Sequence, residues 1–195
     1  VATDGHRLSK SSLTKDFTGD FEGIIIPKKT VFEISKILEE YEDKIILSFS
    51  KTRLKIVLGN VKIISKLINS SFPDYESVIP TTNDQIMIVD CKSFSDSIDR
   101  VSTISSEKFR TVKLDVSKNV CVVSSFGSEK SIGTENVKVD YDGPPFSINF
   151  NSRYVLDVLN IIKNGNVKFY FSKNTAPTIL ESSAVKNTIF LIMQM

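Results

Sequence analysis

Residues 23–50 read GIIIPKKTVFEISKILEEYEDKIILSFS, and 122 positions later residues 145–172 read PFSINFNSRYVLDVLNIIKNGNVKFYFS. In the first stretch Gly23 to Pro27 predicts a strand. Lys28 to Glu40 predicts a helix, because Val31, Ile34, Ile37 and Leu38 recur at i, i+3, i+6 and i+7. Lys44 to Ser50 predicts a second strand, with Ile45, Leu47 and Phe49 on one face. The apolar positions of the second stretch fall in register: Ile24 and Ile26 meet Phe146 and Ile148, Phe32, Ile34 and Ile37 meet Tyr154, Leu156 and Leu159, and Ile45, Leu47 and Phe49 meet Val167, Phe169 and Phe171. Val1 and Gly5 fall on Val123 and Gly127 at the same spacing. Strand, helix and strand repeated at one offset over about fifty residues mark two copies of one module.

Outward from this repeat, Arg53 to Leu58 and Val61 to Ile68 predict strands joined by the Gly59-Asn60 hairpin signal. The second copy adds a strand at Gln85 to Val89 and a helix at Cys91 to Thr103 carrying Phe94, Ile98 and Val101 on one face. Strands follow at Lys108 to Val116, Val120 to Ser125, Ser131 to Asp140 and Phe146 to Phe150, then a helix at Asn151 to Lys163. Asn166 to Phe171, Thr178 to Glu181 and Thr188 to Met193 complete the strands. Each module is thus expected to hold two helices and about eight strands, an α+β fold in which helices cover antiparallel sheets. Subtracting the offset from Gln85 places the opening strand and first helix of the first copy upstream of Val1, so the chain is expected to be the C-terminal part of a longer protein. The expected domains are residues 1–73 and 74–195, with the joining segment Asn69 to Thr82 carrying Pro73 and Pro80.

Composition narrows the class. The 195 residues are 41% hydrophobic and 25% charged, with a net charge of +2, too small to imply nucleic acid unless the basic groups share a face. No apolar run approaches the ~18 residues of a membrane-spanning helix, so no membrane partner is expected. Cys91 and Cys121 have no CxxC spacing and no signal peptide precedes them, which fits buried thiols in a reducing, cytoplasmic compartment.

Three places carry candidate chemistry. Thr3-Asp4-Gly5-His6-Arg7-Leu8 holds the chain's one histidine on a turn sequence. As a catalyst His6 needs a carboxylate partner, with Asp74 and Glu107 as candidates in a hydrolase reading; no GxSxG, phosphate loop or HExxH motif accompanies it. Phe72-Pro73-Asp74-Tyr75 and Val78-Ile79-Pro80 put apolar residues in a connecting segment, where they must lie against something, and Met193 and Met195 end the last strand with adaptable thioethers. Basic residues cluster at Lys28 and Lys29 and at Lys92, Arg100, Lys108 and Arg110, a phosphate-tracking surface if the two helices line one face. A repeat domain with a purely structural role is the third reading.

Taken in order, VATDGHRL, FPDY followed by VIP, SEKFR and YVLDVL closely resemble the bacterial sliding clamps, the DNA polymerase III beta subunit family, from Val1 to Met195. The resemblance implies the last part of a second clamp domain followed by the whole of a third, in a protein whose two protomers close into a ring around duplex DNA. It implies a non-catalytic processivity factor without cofactor, whose groove takes Gln-Leu-x-Leu-Phe-type peptides of the replicative polymerase, the clamp loader and repair proteins. Carried over position by position, the groove is expected to comprise Thr3, Gly5, His6, Arg7, Leu8, Pro73, Val78, Asn151, Tyr154, Leu191 and Met193. Lys28, Lys29, Lys108 and Arg110 are the expected DNA-facing residues, and Thr103, Ile104 and Phe109 the expected homodimer contacts. Ser77, Thr175 and Gln194 depart from residues usual in the family.

Overall fold

In the computed structural model the described residues are 1–14, 23–39, 41, 43–105, 110–127, 131–172 and 176–195. By its internal contacts the chain divides into two compact units, Val1–Lys15 with Tyr75–Met195, and Asp16–Asp74.

The larger unit opens with β1 (Ala2–Thr3) and β2 (Arg7–Ser11). In the smaller unit, the helix α1 (Lys28–Leu38) precedes the antiparallel ladder β3 (Ile45–Phe49), β4 (Arg53–Leu58) and β5 (Val61–Lys66). Gly59, at a φ of 53°, makes the β4–β5 hairpin, as its Gly-Asn signal predicts. The expected strand at Gly23 to Pro27 does not form. Pro27 has no N–H to give to a ladder, and a hydrogen bond from Ile68 N to Ile25 O at 2.9 Å holds the segment instead. The buried residues of this unit are Leu54, Ile56 and Leu58, alternate positions of β4 that face α1 residues Ile34 and Ile37.

Returning to the larger unit, a 3-10 turn, η1 (Glu76–Val78), leads to β6 (Gln85–Asp90) and α2 (Cys91–Ser102). Next come β7 (Thr111–Ser117), β8 (Val120–Phe126), β9 (Ile132–Lys138) and β10 (Phe146–Asn151), then α3 (Ser152–Ile162), β11 (Asn166–Phe171), β12 (Thr178–Glu181) and β13 (Thr188–Ile192). Two antiparallel sheets result, in the orders β1-β2-β13-β12-β11-β6 and β10-β7-β8-β9. The helices begin where side chains cap them: Asp90 accepts the Ser93 N–H at 2.8 Å, and Asn151 accepts that of Arg153 at 3.0 Å. Their apolar stripes, Phe94, Ile98 and Val101 of α2 and Val155, Val158, Leu159 and Ile162 of α3, are buried in one core with Phe150, Phe169 and Phe171.

The α+β class with antiparallel sheets and covering helices is therefore observed. The eight strands expected for residues 74–195 are observed as β6–β13 among the described residues, and β1 and β2 extend one of their sheets. β2 pairs with β13 in a register that sets Leu8 opposite Leu191 and Arg7 opposite Ile192. The strand expected from Lys108 starts at Thr111, since Arg110 sits at a φ of 42°, off the extended path. Residues Glu107, Lys108, Phe109 and Thr175 lie outside the described residues.

Candidate functional site

The turn between β1 and β2 is fixed by its own side chains. Gly5, at a φ of 86°, supplies the left-handed residue the turn requires. Asp4 Oδ1 accepts the backbone N–H groups of His6 and Arg7, each at 3.1 Å, and Oδ2 accepts Arg7 Nε at 3.0 Å. Thr3 Oγ1 donates to the Arg7 carbonyl at 2.9 Å and accepts the Gly5 N–H at 3.2 Å. Burial works against the Asp4 charge, but the hydrogen bonds from His6 N–H and Arg7 outweigh it, so its pKa is lowered from 3.8.

The turn lies against α3. Arg7 Nη1 donates to Asp157 Oδ2 at 2.6 Å, and the Arg7 guanidinium carbon stands 4.5 Å from the centre of the Tyr154 ring. The imidazole of His6 is near-parallel to the same ring, with centroids 6.3 Å apart. For Arg7, desolvation opposes the charge, while the hydrogen bonds to Asp157 and Asp4 favour it, and its pKa is raised. Beside this polar patch runs the end of β13, where Met193 N donates to the His6 carbonyl at 2.9 Å. Leu8 and Leu191 are buried, whereas Met193 is 43% exposed. The result is an exposed surface with the apolar end of β13 on one side and a guanidinium, an imidazole and a phenol on the other. A patch of this mixture can take a short peptide segment by side-chain contacts.

Among the expected site residues, Thr3, Gly5, His6, Arg7, Leu8, Tyr154, Leu191 and Met193 are thus joined by direct contacts, pairing or a shared turn. Asn151 opens α3 one turn before Tyr154. Val78 is half exposed on η1, whose neighbours Tyr75 and Glu76 meet Lys10 of β2: Lys10 Nζ is 5.2 Å from the Tyr75 ring and 4.0 Å from Glu76. Pro73 belongs to the Asp16–Asp74 unit and is exposed there. Asp4 bonds to the nearby backbone as its turn sequence predicts, whereas Asp157 is a residue the motif reading did not single out, although it lies inside a quoted motif. Asp157 sits three residues after Tyr154 in YVLDVL, the spacing that puts two side chains on one helix face.

The hydrolase reading of His6 is not supported. Both oxygens of Asp4, the nearest carboxylate in sequence, are taken by backbone N–H groups and by Arg7, and the imidazole's recorded neighbour is Tyr154. Among the described residues no three His, Cys, Asp or Glu side chains group as a metal site, and no helix is long and apolar enough to cross a membrane.

Of the other expected residues, Lys28 and Lys29 open α1, whose first turn carries no acidic side chain. Thr103 caps the end of α2 and is followed by Ile104. Arg110 lines a cavity of about 410 Å³ with Asp99, Ser102, Arg153, Asp157 and Asn160, and its carbonyl accepts the Ser152 N–H at 2.8 Å.

Comparison with known proteins gives one answer at every level. Residues 1–74 match the family model of the DNA polymerase III beta subunit central domain, and residues 76–195 that of its C-terminal domain. A beta sliding clamp of Caulobacter vibrioides is 36% identical over 194 residues, covering 99% of this chain and 52% of the relative. One of Rickettsia bellii is 36% identical over 208 residues, covering 99% and 54%. Among solved structures, a Caulobacter crescentus beta sliding clamp superposes with a TM-score of 0.93 at 35% identity, over 100% of this chain and 52% of that one. A Bartonella birtlesii sliding clamp bound to griselimycin gives 0.93 at 34% identity, over 100% and 53%. The chain therefore spans about half the length of the relatives it matches. With models of two of its domains matching residues 1–74 and 76–195, the chain belongs to the DNA polymerase III beta subunit family, the beta sliding clamps.

Proposed function

We propose that this chain works as part of a DNA sliding clamp, a cytoplasmic, non-catalytic processivity factor of DNA replication that holds the replicative polymerase on duplex DNA. Its exposed surface on β1, β2, β13 and α3 recruits the polymerase, the clamp loader and repair proteins through Gln-Leu-x-Leu-Phe-type peptides. One observation carries this reading: His6, Arg7 and Tyr154 stand beside the exposed Met193 at the end of β13, with polar groups already oriented by the turn. Apolar side chains of the peptide pack against Met193 and Val78 over the floor made by Leu8 and Leu191, and the polar side fixes its register. Pro73 joins the set on the strength of the resemblance alone.

DNA contact falls to Lys28, Lys29 and Arg110, with Lys108 added from the sequence, through sequence-blind and salt-sensitive bonds to phosphates. Thr103, Ile104 and Phe109 are assigned to the protomer interface of the homodimeric ring.

The test is a fluorescence-anisotropy titration of the full chain with a fluorescein-labelled Gln-Leu-Ser-Leu-Phe peptide. Micromolar binding is expected, displaced by griselimycin and lost in a Met193→Lys variant whose circular dichroism is unchanged. A folded wild-type chain that ignores the peptide would sink the proposal.

A further inference from the structure

Arg7 is held at two separate nitrogens by carboxylates of different origin. Asp4 takes Nε at 3.0 Å and Asp157 takes Nη1 at 2.6 Å. The two contacts do different work. Asp4 belongs to the same turn and is already engaged by two backbone N–H groups, so it ties Arg7 only to its own neighbourhood. Asp157 lies 150 residues away on α3, on the helix face that also presents Tyr154, and its bond fixes the guanidinium relative to that ring. The third nitrogen, Nη2, has no hydrogen-bond partner among the described residues. A guanidinium has five N–H donors in a rigid fork; with one bond made at Nε and one at Nη1, three remain, two of them on Nη2 and held in a set orientation by the two clamped nitrogens.

We propose that Asp157 is the positioning residue of the peptide surface: it holds Arg7 over Tyr154 and so keeps Nη2 available for a carbonyl or side-chain oxygen of the incoming peptide. The proposal rests on the reading that this surface takes a peptide. Its consequence lies in orientation more than in stability. The side chains of Arg7 and Asp157 are 34% and 45% exposed, and a pair so open to solvent adds little to folding. Pre-set donors save the peptide the cost of ordering a long, flexible arginine at the moment of binding.

The test combines a double-mutant cycle with a spectroscopic signature, on the full chain. Asp157→Asn is expected to leave the melting temperature unchanged and to weaken the labelled Gln-Leu-Ser-Leu-Phe peptide about two- to fivefold, the range that follows from losing one exposed charged pair. In an Arg7→Ala background the same substitution should change nothing, and Asp157→Glu should restore part of the loss. Equal weakening in both backgrounds would mean that Asp157 does not act through Arg7, and the proposal falls. The Arg7 Nη1–H resonances in a low-temperature nitrogen-15 spectrum read the Asp157 bond without any peptide: slow solvent exchange and slow Cζ–Nη1 rotation in the wild type, fast in Asp157→Asn. An unchanged resonance overturns the positioning role. If the wild-type chain binds no peptide while the resonance responds as expected, the peptide reading fails and the Asp157–Arg7 clamp stands.

Discussion

Asn151 is a helix cap that the family resemblance also assigns to the peptide groove. Its Oδ1 caps α3 by accepting the Arg153 N–H at 3.0 Å, so the cap does not use the amide NH2. Replacement by alanine removes the cap and should cost about 1 kcal/mol of stability. Replacement by aspartate keeps the acceptor and removes the two donors. Asn151→Asp should therefore melt with the wild type yet bind the labelled peptide more weakly, while Asn151→Ala loses on both counts. Equal affinity of Asn151→Asp and wild type would remove Asn151 from the peptide-contacting set. Acid acts at the same scale through Asp4. Its depressed pKa means that its contribution is complete above 3.8 and is lost as pH falls through the lower, folded value. The Asp4 side-chain carboxyl carbon resonance should accordingly have its midpoint below 3.8, whereas a midpoint above that value would show that the turn does not hold its charge. Residue types at this site were legible in the sequence, but their division of labour was not. Nothing in Asp4 or Asp157 as letters says that both reach one guanidinium; that depends on β2 and α3 meeting in space.

Helices were the most readable elements because their signal is local. The apolar stripes of α2 and α3, with Asp90 and Asn151 immediately before them, place both starts within a residue of where they are observed. β2 is the opposite case: its partner β13 is contributed from the far end of the chain, so the pairing of Leu8 with Leu191 leaves no mark in the nearby sequence. The same holds for the end of α2, where Ile104 is seated by a glycine on another element. A Cβ on Gly127 would stand 2.5 Å from the Ile104 carbonyl oxygen and 2.9 Å from its Cγ2, so the backbone itself blocks any side chain. Gly127→Ala should push the Thr103–Ile104 turn away from β8, destabilising the chain by about 1–3 kcal/mol, as overpacking does. Denaturant unfolding checks the stability. A wild-type midpoint for this variant would mean that the turn yields freely, and the close approach would then have no structural consequence.

The two units bury very different amounts of the same pattern. Ile45, Leu47 and Phe49 are 42%, 59% and 44% exposed, while their counterparts in the repeat, Val167, Phe169 and Phe171, are fully buried. The reason is position in the sheet. β11 lies between β12 and β6, with Phe94 of α2 edge-on to Phe169 at 5.4 Å, whereas β3 pairs with β4 alone among the described residues. Each such side chain contributes about 1.5–3 kcal/mol when fully buried, so the Asp16–Asp74 unit has far less holding it folded. It should open first, and the cysteines make this visible because both lie in the other unit. Burial pushes the Cys121 thiol up to about 12, with Asp115 adding to the effect, and burial likewise raises Cys91. Since the thiolate is the reactive form, neither should react with an aromatic disulfide reagent while that core is intact. In rising denaturant, amides of β3, β4 and β5 should exchange with deuterium before either thiol reacts, and those of β2 should stay protected along with β13. Loss of β2 protection together with β3–β5 would place the N-terminal strands with the weaker unit. Simultaneous thiol reaction and β3–β5 exchange would mean that the two units unfold as one, whatever their separate cores bury.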